Sequence, residues 1–187
     1  MLQLNIVIAS TRPGRIGESV GTWFHEFARQ HGNFNVHWAD LAEFDLPLFD
    51  EPYHPRLQKY QHEHTRRWAQ SVDAADAYVF VVPEYNFGPT PALLNALNYV
   101  YREWCYKPAG FVSYGGLSGG MRSVQMTKLT LTTLKVMPLF EQVAIPMVSD
   151  FMEDGRFAAS DQHEKSAKTM LDELGRWAEA LEPMRRT

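Results

Sequence analysis

Apolar residues in this chain follow two alternating patterns. Short, nearly unbroken apolar runs are each succeeded by stripes that repeat every three or four positions, the signature of strands and helices in turn. The first run, residues 2–9, predicts a strand. Ile16, Val20, Trp23, Phe24 and Phe27 then fall on one stripe of a helix that begins near Arg15. Residues 34–38 read as a short second strand. A long connection with Pro47, Pro52 and Pro55 follows and reads as a surface loop. After it comes a polar helix, about residues 58–72, that turns Trp68 and Ala69 inward. Residues 77–82 are almost wholly apolar, as suits a central parallel strand covered on both faces, and Pro83 stops its ladder. A third helix is expected after Thr90, a capping residue type, with Pro91 at its first position. It carries Leu93, Leu94, Leu97, Val100 and Tyr101. Residues 110–113 close a fourth strand, and a glycine-rich stretch leads into a fourth helix over about residues 121–134. Two segments, 136–140 and 143–146, compete for the fifth strand. The last helix, about residues 161–181, aligns Ala167, Leu171, Leu174, Trp177, Ala178 and Leu181.

Five strands and five helices in alternation specify an α/β fold, a doubly wound sheet with helices on both faces. Right-handed crossovers restrict its topology. No repeat, low-complexity segment or linker divides the chain, so residues 1–187 are expected to form one domain. Ligands of such sheets bind beyond the carboxyl ends of the strands, near the point where the strand order reverses. The loops after the first, third and fourth strands are expected to meet there.

Composition narrows the function classes. Hydrophobic residues make up 45% and aromatics 13%, enough for a packed core. A formal net charge of -4 gives no electrostatic reason to expect nucleic acid or an anionic membrane surface. No apolar run approaches the roughly 18–20 residues that span a bilayer, and no signal peptide is expected at the N-terminus. The single cysteine, Cys105, excludes an intramolecular disulfide and fits a reducing compartment, so the expected location is cytoplasmic.

Three loops carry the chemistry. Loop one, residues 10–17, brings Ser10 and Thr11 hydroxyls, the Arg12 and Arg15 guanidinium groups and a turn at Gly14 to the start of a helix. Helix starts hold unpaired N–H groups and partial positive charge, and arginine binds phosphate through charge-assisted bonds. The competing reading is a capped helix with two solvated arginines. Neither the dinucleotide fingerprint nor a Walker loop fits this segment, so the expected anion is a mononucleotide-type phosphate bound without magnesium. Loop two, residues 83–89, leaves a buried strand and enters a proline-started helix. Tyr85 and Phe87 offer apolar walls and Asn86 a donor–acceptor pair; an ordinary strand-to-helix turn is the alternative. Loop three, residues 113–120, has four glycines in six positions, which lets backbone approach a ring edge closely; the alternative is mere flexibility.

Ser10-Thr11-Arg12-Pro13-Gly14-Arg15, Pro83-Glu84-Tyr85-Asn86 and the glycine loop of residues 113–120, in this order and spacing, resemble the NADPH-dependent FMN reductase family. The resemblance covers most of the chain, from the first strand to at least the fourth helix. That family, which includes quinone, azo and chromate reductases, has a flavodoxin-like fold, implying a five-stranded parallel sheet of order 2-1-3-4-5. The resemblance implies FMN as cofactor and NADPH, or NADH, as co-substrate. Ser10, Arg12 and Arg15, with backbone around Ile16 and Gly17, would hold the FMN phosphate. Pro83, Glu84, Tyr85, Asn86 and Phe87 would line the isoalloxazine, and Tyr114, Gly115, Gly116 and Ser118 would border its pyrimidine side. The chemistry would be the flavin's: hydride from NAD(P)H, then transfer to a quinone, azo compound, metal oxyanion or free flavin in a ping-pong cycle that needs no side-chain acid or base in its first half. No catalytic side chain is therefore assigned. A homodimer or homotetramer is implied, with Tyr99, Tyr101, Trp104 and Tyr106 as candidates for an interface or pocket rim. The runner-up is a flavodoxin-like electron carrier or a flavin-binding module without NAD(P)H activity; Arg12, Arg15 and the modest net charge argue against a carrier.

Other chemistry-bearing residues read more plainly. His54, His62 and His64 are expected to be solvated, with no metal site. Cys105 is expected to be a buried or interfacial thiol. Glu84 reads as a loop carboxylate with a backbone role, and Asp150, Glu153 and Asp154 as a solvated turn with Gly155.

Overall fold

The two patterns fold into β1 (Leu2–Ile8), α1 (Gly17–His31), β2 (Phe34–Asp40), the one-turn α2 (Leu41–Phe44), α3 (Glu63–Asp73), β3 (Ala77–Pro83) and α4 (Pro91–Tyr99). They continue through β4 (Pro108–Tyr114), α5 (Met121–Thr133), β5 (Met137–Pro138), β6 (Val143–Ile145), the small hairpin β7 (Met152–Glu153) and β8 (Arg156–Phe157), and α6 (Asp161–Arg185). The structure is a computed structural model that describes residues 1–185; the last two positions of the expected 1–187 domain lie outside the described residues.

The main sheet is parallel and ordered β2-β1-β3-β4-β5, the order that the family resemblance implies. The two-residue period of the strands separates its faces. Leu4, Ile6, Ile8, Val79, Val81 and Val112 point toward α1 and α6, and meet Val20, Phe24, Leu171 and Leu174. Val7, Tyr78, Phe80, Val82 and Phe111 point toward α3, α4 and α5, and meet Trp68, Leu93, Leu97, Val124 and Leu131. Every residue of β3 and β4 is buried, so both strands run through the middle of the core.

Both candidates for the fifth strand are used. Met137 and Pro138 pair with Pro108 and Ala109, whereas Val143, Ala144 and Ile145 pair with Val112, Ser113 and Tyr114. Two short pieces share one edge position beside β4. Pro138 lacks an N–H and is tolerated because this is a sheet edge.

Some boundaries differ from the sequence reading. The first helix starts at Gly17, two residues after Arg15, because Arg12–Arg15 is closed as a separate turn by Arg15 N–H donating to the Arg12 carbonyl at 3.2 Å. The second strand runs to Asp40 and not to residue 38. The polar helix starts at Glu63, since residues 55–57 form a single 3-10 turn and Gln58 takes φ +52, which breaks a continuous helix from residue 58. The last helix continues past residue 181 to Arg185. The turn at Asp154 and Gly155 joins β7 to β8, both residues being left-handed.

Candidate functional site

Loop one, the Ser10–Gly17 connection, leaves β1 still in register: Ala9 N–H donates to the Val81 carbonyl at 3.1 Å. Ser10 is buried, with its Oγ 3.3 Å from Tyr85 Oη. Arg12, Pro13 and Gly14 are exposed. The residue before α1, Ile16, gives no side-chain cap, so the first N–H groups of this 15-residue helix are uncapped by any side chain. Beside them stands Tyr114, at the end of β4. Its Oη is buried and meets no hydrogen-bond partner at bonding geometry among the described residues, although the Ser10 hydroxyl lies close enough to hold its pKa down. A Cβ added at Gly17 would lie 2.3 Å from that oxygen, so glycine is needed to let the helix start approach the phenol. Burial pushes the Tyr114 hydroxyl well above the usual tyrosine range; the nearby Ser10, Arg15 and Arg12 oppose the shift. It is a neutral donor at any working pH.

The two arginines of loop one differ. Arg15 Nη1 donates to the Ser10 carbonyl at 2.8 Å and to Asp40 Oδ1 at 2.9 Å, and Nη2 donates to Asp40 Oδ2 at 2.5 Å. Asp40 is buried at the end of β2 and also caps α2 by accepting from Ala42 N–H at 2.9 Å. The Arg15 fork therefore braces loop one against β2. The Arg12 side chain has no hydrogen bond or ion pair among the described residues, and its guanidinium is open to solvent.

Loop two is a two-residue hairpin. Tyr85 and Gly88 exchange both N–H···O bonds, each 2.9 Å. Asn86 at φ +50 and Phe87 at φ +69 occupy its tip, the left-handed pair of a type I′ turn. Thr90 fixes the way out: its hydroxyl donates to the Ala9 carbonyl at 2.7 Å and accepts from Leu93 N–H at 3.1 Å, so one side chain caps α4 and ties it to β1.

Loop three is stitched down, not loose. Gly115 N–H donates to Ile145, the Gly115 carbonyl accepts from Val148, and the Gly116 carbonyl accepts from Gly119 and Met147. Gly120 at φ +81 closes the loop where a Cβ would come within 2.9 Å of Ser113 and Tyr114. With its carbonyls committed inward, the loop leaves Gly116 N–H without a partner among the described residues. Glu84 joins loops two and three. It accepts from Ser118 Oγ at 2.7 Å, and from Arg122 N–H at 3.1 Å and Nη1 at 2.8 Å. Burial raises the Glu84 pKa, but these bonds outweigh it and hold the carboxyl below the usual range. Sequence had given Glu84 a backbone role; the side chain supplies the link.

All three loops thus meet at one edge of the sheet, through Ser10 with Tyr85, Glu84 with Ser118, and Tyr114 with Gly17. Asp40, Thr90 as a cross-link, and Arg122 were not singled out in sequence. Asp40 carries a readable capping signal before Leu41, but a partner 25 positions away leaves none. An uncapped helix start, a buried unpartnered hydroxyl and an unpaired guanidinium form a donor set that a phosphate monoester completes, so the residues fit FMN.

The remaining candidates fall elsewhere. Tyr99 and Trp104 are fully buried core residues, Trp104 against Trp68 and Tyr78; Tyr101 and Tyr106 are half-buried. Cys105 is half-buried and burial pushes its thiol pKa up, as expected of an unreactive thiol. His62 sits just outside α3, so its ring stacks on His64 at 5.1 Å, and His64 Nε2 lies 3.0 Å from Asp50 Oδ1. The described residues contain no group of three or more side chains arranged to hold a metal. No described helix is long and apolar enough to cross a membrane.

Comparison with known proteins bears on this geometry. The family model for NADPH-dependent FMN reductase matches residues 2–150. An NAD(P)H-dependent FMN reductase of Schizosaccharomyces pombe is 34% identical over 144 residues, covering 75% of this chain and 72% of that protein. An NADPH:quinone oxidoreductase of Arabidopsis thaliana is 44% identical over 57 residues, 29% of each chain. Among solved structures, the flavoenzyme NAD(P)H:(acceptor) oxidoreductase FerB of Paracoccus denitrificans superposes with a TM-score of 0.78 at 19% identity, over 96% of this chain and 98% of that one.

Proposed function

Because this chain belongs to the NADPH-dependent FMN reductase family, we propose that its FMN lies across the carboxyl edge of the sheet with the phosphate at the opening turn of α1. The protein is an NAD(P)H-dependent flavin oxidoreductase. FMN held there would supply the hydride-transfer chemistry that links NAD(P)H to an acceptor.

The chain's own residues bind and orient. Ser10, the N–H groups of Ile16 and Gly17, and the unpaired Arg12 receive the phosphate oxygens. Arg15 serves the same seat as a brace: by holding the Ser10 carbonyl inward it keeps the loop open toward the ligand. Tyr114, which the resemblance puts at the pyrimidine side, stands buried behind Gly17 and supports the α1 start at the phosphate end. Pro83, Glu84, Tyr85, Asn86 and Phe87 form the shelf for the ring system, and Gly115, Gly116 and Ser118 its far border. The N–H groups of Gly116, Leu117 and Ser118, which have no partner among the described residues, are available to stabilise negative charge there. The observation that carries this reading is the coincidence of the uncapped α1 start, the orphaned Tyr114 hydroxyl and the unpaired Arg12.

The acceptor is a small molecule, for which a quinone is the first choice because a plant relative is named for that activity. The residues 1–187 act as one flavin-binding domain, in a cytoplasmic homodimer or dimer of dimers. Leu94, Met126 and Leu129, exposed on α4 and α5, support the assembly. Equilibrium dialysis tests the phosphate seat: FMN should bind at least about tenfold more tightly than riboflavin, the scale of one charge-assisted bond. Equal affinities would remove it.

A further inference from the structure

Arg122 is the second residue of α5, and its side chain turns back over loop two. Its N–H and Nη1 both reach Glu84. Its guanidinium carbon sits 4.0 Å from the centroid of the Phe87 ring, a cation–π contact. Phe87 is 65% exposed and holds φ +69, a backbone region that bulky side chains avoid. The hairpin is closed by the two Tyr85–Gly88 bonds, but those bonds do not reach its tip. One cation therefore joins the carboxylate at the base of loop two to the ring at its strained end.

From this juxtaposition we infer that Arg122 is a positioning residue, which through Glu84 and Phe87 keeps the 85–88 hairpin in the left-handed form that presents loop two to the flavin plane. The inference rests on the reading above, in which loop two carries the ring system. Arg122 itself acts at a distance from the phosphate seat, since its partners belong to loops two and three. Without it, Glu84 keeps Ser118 and the backbone N–H, but Phe87 loses the group that covers it. The hairpin then spends part of its time in other turn forms, and apparent affinity falls by the fraction of hairpin lost.

The test compares two ligands by quenching of flavin fluorescence. Arg122→Gln should raise the dissociation constants of FMN and riboflavin by the same factor, about three to fivefold, the upper range for a half-exposed charge, with an unchanged melting midpoint of the unliganded protein. Arg122→Lys, which keeps a cation between Glu84 and Phe87, should stay within about twofold of the wild type. In a Phe87→Gly background, where the left-handed turn carries no strain, Arg122→Gln should cost less than it does alone. Unchanged constants for both ligands would overturn the inference. So would a loss confined to FMN, which would make Arg122 a phosphate ligand. If Arg122→Gln does not fold, Glu84→Gln probes the same clamp and should give the same equal-factor loss; no loss there would equally overturn it. Equal affinity of the wild type for FMN and riboflavin would sink the phosphate seat instead, and leaves the equal-factor result readable.

Discussion

Two arginines three positions apart, alike in sequence, do different work here. The Arg15 fork is spent on Asp40 and the Ser10 carbonyl, and Asp40 is buried. Removing one member of such a pair leaves the other uncompensated, which costs about 3 kcal/mol or more when the survivor is buried. Arg15→Met, which leaves the Asp40 carboxylate buried without its cation, should therefore lower the urea midpoint sharply and drag both FMN and riboflavin binding down with it. Arg12 has no partner to lose. Arg12→Gln should leave the urea midpoint in place and weaken FMN by about 1.5–3 kcal/mol, the range for bonds to a charged group, with riboflavin unaffected in the same titration. The difference is invisible in the motif, because Asp40 lies 25 positions away, beyond a helix and a strand.

Elements are held at their ends by single side chains. Thr90 caps α4 and ties it to β1. At the opposite edge of the sheet, buried Lys107 closes α3 by donating to the Val72 and Asp73 carbonyls, each at 2.9 Å. Burial lowers the Lys107 pKa from 10.5 to about 8; Asp73 works against the shift and Arg185 with it. Between those two values the unfolded chain binds more protons than the folded one, so stability contributed by this group rises with pH. The Lys107 contribution should climb from pH 8 toward pH 10, against the raised Cys105 thiol, which works the other way over the same range. Beyond that the tyrosines reverse the slope, because burial raises the pKa of Tyr78 and the unfolded phenol ionises first. Denaturant melts of the wild type and Lys107→Met across this range check the claim: the climb should flatten in the variant, and a climb of equal size in both would refute the assignment to Lys107.

On the scale of the whole molecule, the helices on the α4 and α5 side leave apolar side chains uncovered: Leu129 is 73% exposed and Met126 49%. Sedimentation at micromolar concentration should show a dimer or larger species, and Leu129→Glu, which sets a charge in that patch, should shift the mass toward the monomer. A wild-type monomer would remove the proposed assembly. The proposed flavin site depends on the same global arrangement, since its three loops come from β1, β3 and β4, which are neighbours only because the sheet reverses its order at β1.

Sequence by itself determined the alternation of strands and helices, the burial of β3, and the three loops proposed to carry the chemistry. Each of these rests on local periodicity, on capping residues or on short motifs, which neighbours along the chain specify. The split of the fifth strand was visible only as two rival segments, because five apolar residues alone do not say which part of β4 they will pair with. Tertiary structure alone decided that Arg15 is a brace and Arg12 a free cation, that the Tyr114 hydroxyl stands behind Gly17, and that Arg122 clamps loop two. Those roles depend on which groups meet across distant strands, and the energy of a charge or hydroxyl is set by the partner it finds and the water it loses.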